Sequence, residues 1–225
     1  MEAPVSGTIL VVSSCTATKL ATPNRRSRWA ESLYSGQQHM RLMRGIEEYR
    51  DAGQPAGELR FRILSAFHGL VPPRRPISSY DHSFSGLPTE TIRQQGREKK
   101  VPEDLRTLMG KPFDLGLLLL GDPYLRACDL DAEVEQGGPL LCFCSPAVAR
   151  RMPEIERLRT IPLANAEARR FSCGLIALKG ELGGRLLSQL VAEPEKIDRF
   201  VAPNADVLRR LEESPRPRRS QPIAA

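Results

Sequence analysis

Five short apolar runs constrain the fold of this 225-residue chain more than any other feature: TILVVSS (8–14), FRILSA (61–66), FDLGLLLLG (113–121), PLLCFCS (139–145) and FSCGLIAL (171–178). Each is too short for an independent helix, and each is apolar at nearly every position instead of at alternate ones. Such runs fit strands covered on both faces, the condition of a parallel sheet with helices on either side. Helical segments fall between most of them. Residues 35–51, SGQQHMRLMRGIEEYRD, begin with a capping-box pattern from Ser35 to Gln38 and spread Met40, Met43, Ile46 and Tyr49 over an amphipathic surface. His39, beside the methionine stripe, reads as part of that helix and not as a cofactor ligand. Further helices are expected at 102–110, 122–134, 145–152, 181–192 and 203–213, with Asp122 and Ser145 as N-caps followed by Pro123 and Pro146.

Strands alternating with helices predict an α/β fold, a single layered domain over residues 1–213 with a mostly parallel central sheet flanked by helices. In such sheets ligands collect at the carboxyl ends of the strands. The segments SSCTATK, FHGLVPP, GDPY, CSP and KGELGG, each following one apolar run, are therefore expected on one rim. Residues 84–111 form a basic excursion between two strands, and the Pro/Arg-rich segment 214–225 has little to bury and is expected to be disordered.

Composition narrows the function classes. The five cysteines, Cys15, Cys128, Cys142, Cys144 and Cys173, are odd in number, lack CxxC spacing and sit mostly in or beside apolar runs. That usage indicates reduced thiols in a cytoplasmic protein instead of a disulfide framework or a zinc site. No apolar run reaches the roughly 18 residues of a membrane span, and the N-terminus lacks a signal-peptide pattern. No membrane partner is expected. A net charge of +6 suits phosphate-bearing partners, although a solvated mixed surface would carry the same charge. The spacings lack a dinucleotide fingerprint, a Ser-His-Asp order or a metal-ligand pattern, so neither a cofactor nor a metal is expected.

Three stretches resemble a known pattern: VVSSCTATKL (11–20), LYSGQQHMRLMRGIEEY (33–49) and RILSAFHGLVPPRRPISSYD (62–81). Together they are similar to a bacterial and phage domain of unknown function with SC-x-x-x-K, LY-x-G and ILSA-x-x-GL followed by Y-D. The last block also resembles the YaaA peroxide-stress family at a greater distance. The resemblance covers about the first 80 residues, and Ser79-Tyr80 stands where that family usually has proline-tyrosine. It implies an α/β fold, DNA binding and a role in stress or DNA-damage response.

The candidate ligand-binding residues are Ser13, Ser14, Cys15 and Lys19 after the first strand, Tyr34 in the LY-x-G phrase, Ser65 and Gly69 after the second strand, and Tyr80. Hydroxyl-rich turns expose backbone N–H groups and lysine adds a cation, which together suit an anion; an ordinary Ser/Thr turn has the same composition. Gly69 permits a backbone turn, and Tyr80 offers a face for stacking on a base. Asp81 and His68 are the candidate catalytic groups, as carboxylate stabiliser or base and as proton carrier; Asp81 as a turn cap and His68 as a shape residue are the structural alternatives. His82 reads as solvent-facing. GDPY (121–124) is similar to the water-activating stretch of uracil-DNA glycosylases, but an ordinary capped helix start is favoured. Arg93, Arg97, Lys99 and Lys100 in the basic excursion are candidate nucleic-acid contacts. Two other functions stay open: a cofactor-free enzyme acting on a nucleobase or nucleoside in a glycosidase-like way, and a phage-defence accessory binding module.

Overall fold

The computed structural model describes residues 7–21 and 26–217. The chain begins with β1 (Thr8–Ser14), passes through a two-residue strand β2 (Arg28–Trp29) and the short α1 (Ala30–Leu33), and enters α2 (Gln37–Asp51). A strand–turn–strand unit follows, β3 (Glu58–Ser65) and β4 (Gly69–Val71), then β5 (Pro76–Ile77). The basic excursion folds into α3 (Thr89–Glu98) and α4 (Val101–Met109). The second half runs β6 (Leu115–Leu119), α5 (Asp122–Cys128), β7 (Leu140–Cys144), α6 (Pro146–Ala149), β8 (Leu158–Pro162) and α7 (Asn165–Arg170). It closes with α8 (Leu175–Ala192), a 3-10 turn over Pro194–Ile197, α9 (Asp198–Val201) and α10 (Val207–Glu213).

The fold is α/β, as the apolar runs predict. Six strands form one sheet in the order β4-β3-β1-β6-β7-β8, and β2 pairs with β5 in a separate two-stranded ribbon. β3, β1, β6, β7 and β8 are parallel, with only β4 running against β3. The carboxyl ends of the five parallel strands therefore share one edge. The chain moves from β1 to β3 on one side and later to β6 on the other, so the order reverses between β1 and β6. A crevice opens at such a switch point because the connections leave in opposite directions.

Two expectations are corrected. The run FSCGLIAL is not a strand; its last four residues begin α8. That helix is buried over most of its length, from Ala177 to Leu190, and a helix covered on all sides has no polar face to betray its period. The fifth parallel strand is instead LRTIP, whose residues are mostly half-exposed because β8 is an edge strand. KGELGGR consequently lies inside a helix and not in a rim turn. Smaller differences concern ends. The helix expected over 122–134 stops at Cys128, where Asp129 adopts φ +46°. The Ser35 capping box gives way to Gly36 as N-cap, its N–H donating to Thr16 Oγ1 at 3.1 Å. The basic excursion also contributes to the main core, where Ile92, Val101, Leu105 and Met109 are buried. Ser214 is buried and donates to the Arg210 carbonyl at 2.8 Å; Pro215, Arg216 and Pro217 follow without helix or strand, and 218–225 lie outside the described residues.

α2 and α8 pack side by side and in parallel, as Gly180 lies against Gln38, Gly184 against Arg41 and Gly45, and Ser188 Oγ donates to Glu48 Oε2 at 2.6 Å. A Cβ on Gly180 would stand 1.9 Å from the Gln38 carbonyl oxygen, and one on Gly45 would stand 2.5 Å from Gly184 Cα. Small residues thus set the distance between the helices. Across the same contact Glu181 accepts from Arg41 Nη1 at 2.5 Å and from Arg185 Nε at 2.9 Å. Burial alone would raise the Glu181 carboxyl, but these two guanidinium groups outweigh it and hold the group below its ordinary value.

Gly180→Ala is expected to force the helices apart and to cost roughly 1–3 kcal/mol of stability, the range for overpacking a well-filled contact. Urea unfolding should show a lower midpoint with an unchanged slope.

Candidate functional site at the carboxyl edge

β1 and β3 deliver their last residues to the edge in register, Ser13 opposite Ile63 and Ser14 opposite Leu64. Ser13, Ser14, Cys15 and Ser65 are all buried there. After β1 the chain folds back alongside the end of α1. Lys19 pairs with Tyr34 in an isolated antiparallel bridge, and Ser35 N–H donates to the Thr18 carbonyl at 3.1 Å. After β3 the chain turns sharply at Gly69, which has φ +71° and whose Cβ would stand 2.8 Å from the Lys99 carbonyl oxygen. Both conditions call for glycine. The turn holds Phe67 and His68 at the edge and seats the start of β4 against the end of α3.

A chain of hydroxyls joins these segments. Ser65 Oγ accepts the N–H groups of Phe67 at 3.2 Å and His68 at 3.0 Å, and lies 2.7 Å from Tyr80 OH. With both lone pairs so engaged, Ser65 donates its own proton to Tyr80. Tyr80 OH, 2.9 Å from Tyr34 OH, then donates onward to Tyr34. On the β6 side, Cys15 Sγ lies 3.0 Å from the OH of Tyr124, which α5 carries into the crevice at the switch point. Burial, with Cys15 as the next contributor, pushes the phenol of Tyr34 up to about 12 and those of Tyr80 and Tyr124 well above the ordinary range. The tyrosines are therefore neutral hydrogen-bonding groups and not phenolate bases at neutral pH.

Aromatic rings and lysines stack outward from this base. Phe67 is 49% exposed and lies parallel to Tyr80, with centroids 5.2 Å apart and 21° between planes. Lys19 Nζ is 4.3 Å from the Tyr80 centroid, and Lys99 Nζ is 5.4 Å from the Phe67 centroid. The order is lysine, tyrosine, phenylalanine, lysine. His68 meets Tyr80 edge-on at 5.2 Å. Burial first, and then the nearby Arg75 and Lys99, lower its pKa, so its imidazole is neutral at pH 7. Its Nε2 is buried with no hydrogen-bond partner among the described residues.

The candidate residues thus divide. Lys19, Tyr34, Ser65, Gly69 and Tyr80 come together, with His68 on their flank and Cys15 beside Tyr34 and Tyr80 while bonded to Tyr124. Ser13 and Ser14 lie at the buried strand end behind them, Ser13 Oγ having no partner among the described residues. Asp81 is exposed although it follows Tyr80 directly in the chain. His82 is half-buried and hydrogen-bonds Gln95 Oε1 at 3.0 Å. Of the basic residues, Lys99 reaches the ring stack and Lys100 is exposed at φ +56° before α4. Arg93 pairs with Asp129 at 3.2 Å, while Arg97 pairs with Glu90 at 3.0 Å and with Asp129 at 3.5 Å. Two features were not singled out from sequence: Phe67, whose signal is an exposed aromatic residue between a strand end and a glycine turn, and the pair formed by Ser145 Oγ donating to Asp122 Oδ2 at 2.8 Å. Lys179, moved into a helix by the corrected fold, still reaches the edge by donating to the Leu120 carbonyl, and burial lowers its pKa.

Among the described residues, no three His, Cys, Asp or Glu side chains gather as a metal site would require, and no helix is long and apolar enough to cross a membrane. No family model matches the chain, and no curated protein or solved structure matches it.

All four tyrosines have raised pKa values relative to the ordinary 10.0. A raised folded-state value contributes stability that is fully present below the unfolded value and is lost as pH climbs towards the folded one. Alkaline titration should therefore show tyrosinate absorbance and loss of helical dichroism together, between pH 10.0 and about 12 for Tyr34 and Tyr49. A tyrosinate signal near pH 10 from still-folded protein would contradict this. Tyr80→Phe removes the oxygen between Ser65 and Tyr34 and is expected to cost about 1–3 kcal/mol in urea unfolding.

Proposed function

We propose that this protein binds nucleic acid or a nucleotide at the carboxyl edge of its sheet, with a base stacking on the Phe67–Tyr80 pair and phosphates meeting Lys19 and Lys99. The observation that carries this reading is the lysine–tyrosine–phenylalanine–lysine stack. Every base presents a π-face, so an exposed ring flanked by cations suits single-stranded nucleic acid without a fixed sequence. A base arriving on Phe67 takes the place of the Lys99 ammonium, and that lysine can swing to a phosphate within reach of its flexible stem. The hydroxyl chain beneath fixes the plane of Tyr80, so the platform is formed before the ligand arrives.

The stress or DNA-damage setting and the kinship with YaaA-like proteins rest on the sequence resemblance. The geometry supports the class of ligand. An enzymatic reading through Asp81 gains no support from that exposed carboxylate, whereas neutral His68 and the neutral tyrosines suit binding and orientation.

Fluorescence anisotropy of a short labelled oligothymidylate over a salt series tests the proposal. Removing a stacked base contact costs about 1–3 kcal/mol, so Phe67→Ala should weaken binding by roughly tenfold. Lys99→Gln should reduce the slope of log affinity against log salt by about 0.7, one phosphate contact on a single strand. No binding at low salt, or wild-type affinity in Phe67→Ala, would remove the basis of the reading.

A further inference from the structure

A second cleft lies beside the carboxyl edge, between α3, α5 and the end of α6. Its volume is about 200 Å³, enough for a phosphate group with part of a sugar or a short aliphatic chain. Three arginines line it, each from a different segment: Arg93, Arg126 and Arg151. Two carboxylates line it as well, Asp122 and Asp129. Both carboxylates have partners, but only Asp129 is neutralised by ion pairs, and Asp122 keeps its charge against the three guanidinium groups. Asp129 is held by Arg93 and Arg97 at 3.2 and 3.5 Å, and Asp122 accepts the Ser145 hydroxyl at 2.8 Å. Arg126 and Arg151 differ from Arg93 in this respect. Among the described residues Arg126 Nη1 donates to Thr89 Oγ1 alone, at 3.2 Å, and Arg151 Nε donates to the Ala147 carbonyl at 3.1 Å. Neither forms an ion pair with a carboxylate among the described residues. Two guanidinium groups with unspent donors therefore face one small cleft, with the Thr89 hydroxyl between the helices.

From this arrangement we propose that the cleft is a binding site for a phosphomonoester, gripped by Arg126 and Arg151. Planar guanidinium groups present paired donors that match phosphate oxygens, and a terminal phosphate offers three acceptors for two such forks. Leu125, Leu130, Val148 and Met152 also line the cleft and would cover the organic part of the ester. Arg93 is a positioning residue, since its pairing with Asp129 neutralises the carboxylate that would otherwise repel the ligand. α5 connects the two sites. Its Tyr124 meets Cys15 in the switch-point crevice, while Asp122 and Arg126 on the same helix line the cleft. The inference does not depend on the ring stack, and the two fail separately.

The probes are inorganic phosphate, adenosine 5′-monophosphate, adenosine, and a trithymidylate with or without a 5′-phosphate, each titrated by calorimetry at constant ionic strength. Binding of inorganic phosphate should fall about tenfold or more in both Arg126→Gln and Arg151→Gln, as expected when a charge-assisted contact is lost. It should be unchanged in Arg150→Gln, which removes the same charge from an exposed neighbour outside the cleft. Arg151 is exposed, so its variant tests the site even if loss of the Arg126–Thr89 contact disturbs folding. Affinity for adenosine 5′-monophosphate should weaken on lowering the pH from 7.5 to 5.5, because a phosphomonoester passes from dianion to monoanion near pH 6 while arginine stays charged. Preference for the monophosphate over adenosine would identify a small phosphomonoester as the ligand. A gain confined to the 5′-phosphorylated trithymidylate would identify a nucleic-acid end. Equal phosphate affinity in the wild type, Arg126→Gln and Arg151→Gln, or an equal loss in Arg150→Gln, would overturn the proposal.

Discussion

The carboxyl edge depends on one hydrogen-bonded line, from Ser65 through Tyr80 to Tyr34. Each member comes from a different segment: the end of β3, the loop after β5 and the exit of α1. A buried hydroxyl without a partner costs free energy, and three hydroxyls can satisfy one another only if all three segments are in place. The loop carrying Phe67 and His68 is fixed to the same line because Ser65 accepts both their backbone N–H groups. The ring stack, the lysines over it and the seating of α3 against the glycine turn all follow from that anchoring.

A second constraint acts from beneath. α8 packs this closely beside α2 only because glycines remove side chains at the contact, and both helices start at the same end of the sheet as the ligand-facing loops. Lys179 uses this placement to reach the Leu120 carbonyl at the end of β6, and Gln38 Nε2 reaches the neighbouring Leu119 carbonyl at 2.9 Å. Backbone groups that leave the sheet at the switch point are thus satisfied by the two helices packed on it. Chain ends that water would otherwise solvate are held by protein, and the crevice keeps its shape.

Much of this was legible in the residues. Four of the five apolar runs are parallel strands because strands covered on both faces must be apolar throughout. The fifth failed because hydrophobicity without a period cannot separate a buried strand from a fully buried helix, and β8 escaped notice because an edge strand need not be apolar. At the site, Lys19, Tyr34, Ser65 and Tyr80 were identifiable from motif spacing, since hydroxyls and a lysine at strand exits converge once the sheet is parallel. Asp81 was not distinguishable from its neighbour, because adjacent residues in an irregular loop can point into the protein or into water. The pairing of Asp122 with Ser145, and the convergence of Arg126 and Arg151, join residues from separate connections that no local pattern links.

The ends of the sheet carry a different consequence. On one side β4 offers only three residues, Gly69–Val71. On the other, the Leu163 N–H points inward to the Cys144 carbonyl at 2.8 Å, so the nitrogen of Pro162 faces outward and presents no donor. Arg159, on the same strand, donates to the carbonyls of Phe200, Ala202 and Pro203, which draws the segment around α9 towards that margin. A neighbouring chain seeking to extend the sheet meets, on one side, three residues of β4 and then the part of β3 that β4 leaves uncovered, which carries Glu58, Arg60 and Arg62; on the other it meets a missing donor beside an arginine-tethered loop. The protein thereby keeps a long apolar sheet without offering it as a seed for aggregation.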